Sequence, residues 1–222
     1  MQIEIIKKGG FDYIKAVLNS GEIVYSEPGA FFYSKGNYNL NTKTFGGVLG
    51  GLKKMILGGE SFFINEYVAL EDNVELGFSS SFPGEISYLE LNNNEWVVRD
   101  GAYLMHVGDI KIDTKFFGLK GFFSGSGFFW LIAKGKGNLF LNTYGNIETI
   151  ELKGNSILVD NFHILAYENT LDVELKKLGS WKSFFFGGEG LVFKLSGYGK
   201  VILQTRNLRG FIEKILPYLP KK

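Results

Sequence analysis

The chain has 222 residues, among them 30 glycines, 4 prolines and 2 histidines, and it contains no cysteine. Glycine runs at about twice ordinary usage without a Gly-X-Y period, which excludes collagen, and the 45% hydrophobic and 16% aromatic content excludes disorder. Absence of cysteine removes disulfides, thiolate catalysis, zinc fingers and iron–sulfur clusters together. The formal charge is +1, from 24 basic and 23 acidic residues, without the basic excess of a nucleic-acid binder.

The N-terminal stretch Met1–Lys8 lacks the cationic start, apolar run and small-residue cleavage site of a secretory signal, and the chain reads as soluble. Ile3-Glu4-Ile5 and Glu22-Ile23-Val24-Tyr25 alternate with period two and predict strands with one buried face. The next stretch, Glu27–Thr42, matches Arg99–Thr114 without a gap: Gly29-Ala30 with Gly101-Ala102, Gly36 with Gly108, and Thr42 with Thr114. After it comes an apolar glycine loop carrying Phe45, Leu49 and Leu52, then the turn Gly59-Glu60 entering Ser61-Phe62-Phe63-Ile64.

Further on, Leu89-Glu90-Leu91 and Trp96-Val97-Val98 match Ile150-Glu151-Leu152 and Ile157-Leu158-Val159. In both copies the intervening Asn92–Asn94 and Lys153–Asn155 predict hairpin turns, because Asn and Gly tolerate positive φ. The match continues from Ile110 and Ile112 to Leu171 and Val173. Phe116 to Ala133 carries a single charge, Lys120, but its glycines and serines predict two packed strands and a loop rather than a membrane span. Turns equivalent to Gly59-Glu60 recur at Gly125-Ser126 and Gly188-Glu189, each entering an apolar strand. Aromatic loops precede these turns as well, with Phe116, Phe117, Phe122 and Phe123, and with Trp181, Phe184, Phe185 and Phe186. Finally Leu208, Phe211, Ile212, Ile215 and Leu216 fall at helical spacing and stop at Pro217, predicting a short amphipathic helix that packs on a sheet.

Repeats of this kind define an architecture. The reading is all-β: one domain over 1–207 built of three antiparallel units (about 1–83, 84–144 and 145–207) around a pseudo-threefold axis, with a helical tail over 208–222. Chemistry is harder to find. Gly46–Lys53 fails as a phosphate loop because Leu52 separates the last glycine from lysine, and no Gly-X-Ser-X-Gly elbow is present. His106 and His163 do not occupy equivalent repeat positions and read as ordinary strand histidines. Glu60 and Glu189 share one repeat position and read as caps of tight turns rather than an acid–base pair. No catalytic residue, metal ligand or cofactor site is expected. Three readings fit the aromatic loops: burial at inner edges around the axis, self-association, and lipid contact.

A set of segments in order resembles the altered inheritance of mitochondria protein 24 family: Gly29-Ala30, Gly58-Gly59-Glu60-Ser61-Phe62-Phe63, Pro83-Gly84-Glu85-Ile86, Val159-Asp160, Lys182-Ser183, Gly187–Leu191 and Leu203-Gln204-Thr205-Arg206. Asn161-Phe162-His163 departs from the family pattern, which more often has a small residue after the Asp. The resemblance implies a β fold similar to the tryptophan RNA-binding attenuation protein (double-stranded β-helix or β-sandwich), repeated within the chain. It also implies mitochondrial, inner-membrane-linked roles for fungal relatives, and no assigned activity for prokaryotic ones. With no Arg-rich transit peptide, the chain is similar to the prokaryotic type, and the location this implies is cytoplasmic. The expected function is therefore a non-enzymatic, self-associating scaffold meeting a protein or membrane surface through the Phe/Gly loops. The alternatives are single-stranded RNA binding, by analogy of fold, and a small-molecule or unrecognised enzyme site between units.

Overall fold

The computed structural model describes residues 1–44, 63–115, 130–177 and 191–220. Fourteen strands follow one another: β1 (Gln2–Ile6), β2 (Tyr13–Leu18), β3 (Ile23–Ser26), β4 (Phe31–Lys35), β5 (Tyr38–Thr44), β6 (Phe63–Ala69), β7 (Val74–Ser79), β8 (Ile86–Arg99), β9 (Tyr103–Lys115), β10 (Trp130–Asn142), β11 (Ile147–Asp160), β12 (Ile164–Glu168), β13 (Asp172–Lys177) and β14 (Leu191–Gln204). Among the described residues one α-helix, α1 (Leu208–Ile215), comes last and runs into a 3-10 turn over Leu216–Tyr218. The protein is all-β and its named strands pair antiparallel.

Two sheets result. A four-stranded sheet has the order β1-β2-β7-β4, and a ten-stranded one the order β11-β14-β12-β8-β10-β9-β3-β6-β5, with β13 also on β14. In each third of the chain the last strand lies between the first and the middle one: β7 between β2 and β4, β10 between β8 and β9, β14 between β11 and β12/β13. Neighbouring thirds join where β3 pairs β9 and where β8 pairs β12.

Period-two alternation buries one face of each strand, and the buried side chains form three clusters. The first packs Ile14, Leu18, Leu76 and Phe78 under Leu104 and Met105; the second centres on Leu91, Val98, Tyr103 and Leu131; the third on Leu152, Tyr167, Leu195 and Val201. Each cluster borrows from a neighbouring third, so no third closes its own core.

Two expectations need correction. Asn92–Asn94 and Lys153–Asn155 are not hairpin turns. They lie inside the long strands β8 and β11, where the register slips opposite Lys134/Lys136 and between Lys153 and Ser156. Asn93 (φ 65°) and Gly154 (φ 88°) do take left-handed backbone. That conformation bends one strand onward instead of returning it, because β10 and β14 run alongside both halves. Secondly, α1 forms as predicted but does not pack on a sheet: none of its residues is buried. Of the apolar stretch 116–133, the described residues Trp130–Ala133 belong to β10.

Gly108 shows how closely the sheet is built. It has φ 92°, and a Cβ there would sit 2.6 Å from the Lys136 carbonyl oxygen and 2.8 Å from the Gly137 Cα. Gly101 by contrast has open space around its missing Cβ. Gly108→Ala is therefore expected to lower stability by more than about 2 kcal/mol, and Gly101→Ala to stay within about 0.5 kcal/mol of wild type, as read from urea midpoints.

Candidate functional site

The sequence-predicted loop residues Phe45, Leu49, Leu52, Phe116, Phe117, Phe122, Phe123, Trp181, Phe184, Phe185 and Phe186 lie outside the described residues, as do the turn positions Gly59, Glu60, Gly125, Ser126, Gly188 and Glu189. The strands that lead to them are clear. Thr44 pairs with Phe63, Lys115 with Trp130 and Lys177 with Leu191, so each segment leaves from the end of an antiparallel hairpin. Along the ten-stranded ladder these ends do not share one edge. Antiparallel pairing across β3:β9 and β8:β12 sets the 115/130 end opposite the 44/63 and 177/191 ends.

The two histidines belong to separate assemblies. His106, on β9, is buried; its Nδ1 lies 2.8 Å from the Tyr103 hydroxyl, and its ring stacks on Tyr25 at 4.7 Å between centroids. Burial drives its pKa down to about 3, so the ring is neutral at physiological pH. From Tyr25 the assembly continues outward. Burial and a bond to Glu66 raise the Tyr25 hydroxyl. Burial pushes the Glu66 carboxyl up, but bonds from Lys43, Asn41 and Tyr25 outweigh it and hold the group below the usual carboxylate range. Lys43, ion-paired to Glu66, has its pKa raised by that bond. The result is an ion pair joined through Tyr25 to a fixed neutral imidazole. It ties β3, β5, β6 and β9 together.

His163 sits in the turn between β11 and β12, where both ring nitrogens are engaged. Nδ1 donates to the Gln204 carbonyl oxygen at 2.7 Å, leaving Nε2 to accept from the Asn207 amide at 2.9 Å. Asn207 in turn caps α1, its Oδ1 accepting the Gly210 N–H at 2.6 Å. Next to it, the Phe162 carbonyl accepts from Arg99 Nη1 (2.8 Å) and from Gln204 Nε2 (2.9 Å). Its ring centroid lies 5.7 Å from the guanidinium carbon of Arg99 and 5.1 Å from that of Arg209. Phe82, Tyr144 and Leu208 complete the walls of a pocket of about 80 Å³. Since one water takes about 30 Å³ and organic ligands occupy about 300–1,000 Å³, this pocket admits waters or a small ion but no cofactor. Among the described residues, no group of three or more His, Asp or Glu side chains converges as a metal site.

Chemically, both assemblies hold elements in place. The repeat reading missed the second because Phe162 and the two arginines come from three distant segments. Its sequence signal was Asn161-Phe162-His163, the place where the chain departs from the family pattern. Among the described residues no helix is long and apolar enough to cross a membrane.

A β protein of three like-ordered strand sets, jointed by buried polar contacts and ending in an unburied helix, is the class this structure defines. Comparison places it further. The family described as Mitochondrial biogenesis AIM24 matches residues 3–206, and the chain belongs to that family. An uncharacterized protein of Streptococcus pyogenes serotype M6 is 29% identical over 99% of this chain and 92% of its own length. The crystal structure of a Streptococcus pyogenes protein superposes with a TM-score of 0.82 at 28% identity, covering 98% of this chain and 99% of that one.

Two outcomes are expected. With a folded pKa near 3 against about 6.5 unfolded, the unfolded chain takes up the His106 proton first as pH falls, so stability drops from about pH 6.5 towards 3. The slope is up to about 1.4 kcal/mol per pH unit, and His106→Gln should remove that component from urea midpoints taken between pH 4.5 and 7. Asn207→Ala should cost α1 about 1 kcal/mol of local stability, seen as faster amide exchange over 208–215 with β14 unchanged.

Proposed function

We propose that this protein is a non-enzymatic β scaffold that self-associates and meets a protein or membrane surface through its Phe/Gly-rich segments and through α1. The observation that carries the reading is the helix. Leu208, Phe211, Ile212, Ile215 and Leu216 line α1 and the turn after it, and all of them are exposed. An eight-residue helix none of whose residues is buried is marginal in water even with its Asn207 cap and the Phe211–Tyr144 contact, so cover from a partner would add the stabilisation an amphipathic helix ordinarily draws from packing.

Charge supports the same reading. Residues 206–222 carry five cations (Arg206, Arg209, Lys214, Lys221, Lys222) against Glu213 alone, while the other 205 residues carry 19 basic and 22 acidic side chains. The near-neutral total thus hides a basic apolar tail on a slightly acidic body, a pattern suited to an anionic surface. The slight acidic excess over residues 1–205 weighs against RNA as the ligand. The small volume of the pocket beside Phe162 weighs against an organic substrate there.

The test combines light scattering with vesicle sedimentation. The full chain is expected to elute above its monomer mass and to sediment with vesicles containing an anionic lipid more than with neutral ones. Phe211→Glu combined with Ile215→Glu is expected to reduce sedimentation severalfold without unfolding the strands. A chain that is monomeric and sediments with neither vesicle sinks the proposal.

A further inference from the structure

The two joints between thirds of the chain use equivalent positions. On the first strands, the Glu27–Arg99 match carried back two residues sets Tyr25 against Val97, and the Trp96–Val98 match sets Val97 against Leu158. On the middle strands they set Ser34 against His106, and the Ile110–Leu171 match carried back four residues sets His106 against Tyr167. In the structure Tyr25 faces His106, with Ser26 facing Met105. Val97 faces Tyr167, with Val98 facing Ala166. The same relation is thus made twice. A third joint of this kind would set Leu158 on β11 against Ser34 on β4.

That joint is open. Among the described residues β11 pairs only with β14 and β4 only with β7, and each strand ends its sheet. The burial record agrees. Val97 is 0% exposed and His106 and Tyr167 are 2% exposed, whereas Leu158 is 55% exposed and Phe32, on β4, 50%. A groove of about 390 Å³ runs along this stretch of β11, lined by Ile150, Ile157, Leu158, Val159 and Asp160. An unpaired edge with exposed apolar side chains is a template for another strand.

We propose that β11 of one copy pairs with β4 of a second copy, making between chains the joint that each chain makes twice within itself. The occupant follows from the repeat: the strand built to face a first strand is a middle strand, and of the three positions equivalent to His106, Tyr167 and Ser34 the one without such a partner among the described residues is Ser34, on β4. Because the two surfaces differ, the contact is head-to-tail. It closes into a ring if the rotation allows and otherwise extends as a filament. This inference rests on the self-association proposed above and assigns it to a surface other than the Phe/Gly-rich segments and α1.

The cysteine-free chain allows a direct test. Ser34→Cys and Leu158→Cys variants, mixed and mildly oxidised, are expected to give a disulfide-linked pair in far greater yield than either alone, since facing strand positions lie within disulfide reach. Leu158→Glu, at an exposed site that leaves folding intact, is expected to weaken association about tenfold or more in light scattering. If the chain is oligomeric but the mixed variants do not cross-link and Leu158→Glu associates normally, self-association stands and the open joint is the wrong surface. A wild-type chain that is monomeric at high concentration overturns both. An internal bridge at monomer mass in the Ser34→Cys/Leu158→Cys double variant overturns this proposal alone.

Discussion

The placement of the three strand sets depends on two carboxylates. Asp12, buried just before β2, accepts the Ile86 N–H at 3.3 Å, and Glu85, just before β8, accepts the Ile147 N–H at 2.9 Å. Each acid stands at the start of one set and receives the amide that opens the next. Parallel bridges between Phe11 and Gly84, and between Gly84 and Gly145, run through the same points. The approach is close enough that a Cβ on Gly84 would lie 2.0 Å from the Thr143 carbonyl oxygen. A charged acceptor on a backbone donor is among the stronger hydrogen bonds available, and losing it strands a buried group. Thr143 reinforces the point, its hydroxyl reaching the Glu85 and Gly145 carbonyl oxygens. With these starts tied, the register of β3 on β9 and of β12 on β8 follows.

Much of this was legible in the residues, because period-two alternation and glycine placement are local signals. Strands at Ile3–Ile5 and Ile23–Tyr25, the helix from Leu208 and the all-β class all follow from spacing. Asn92–Asn94 misled for a physical reason: positive φ is needed both to reverse a chain and to bend a strand that continues. Only the partner, β10 running past both halves, decides between them. Burial of α1 was likewise undecidable from its own stripe, since an apolar face states a need for contact without naming the surface that meets it. The Arg99–Phe162–Arg209 stack lay beyond reading because its members have no common period.

On the proposed reading, function in this AIM24-family chain lies at edges and ends rather than in a cavity. Its two histidines are both committed, His106 to Tyr103 and Tyr25 inside the sheet, His163 to Gln204 and Asn207 at the root of α1. The second commitment matters for the helix. A cap held by an imidazole, with Phe211 set edge-on against Tyr144 at 5.8 Å, fixes where α1 leaves the strands. Its apolar face therefore projects from a defined root.

Strand order has a consequence for how the chain is made. In the second and third sets the first strand pairs with the last, and the middle strand emerges between them. During synthesis β8 leaves the ribosome with Trp96, Val97 and Val98 uncovered, and its partner β10 is complete only at Asn142. β11 waits in the same way for β14, which ends at Gln204. Each nascent set therefore holds a long, bare edge strand for some forty residues of elongation, a period in which a trigger-type chaperone has an apolar strand to hold.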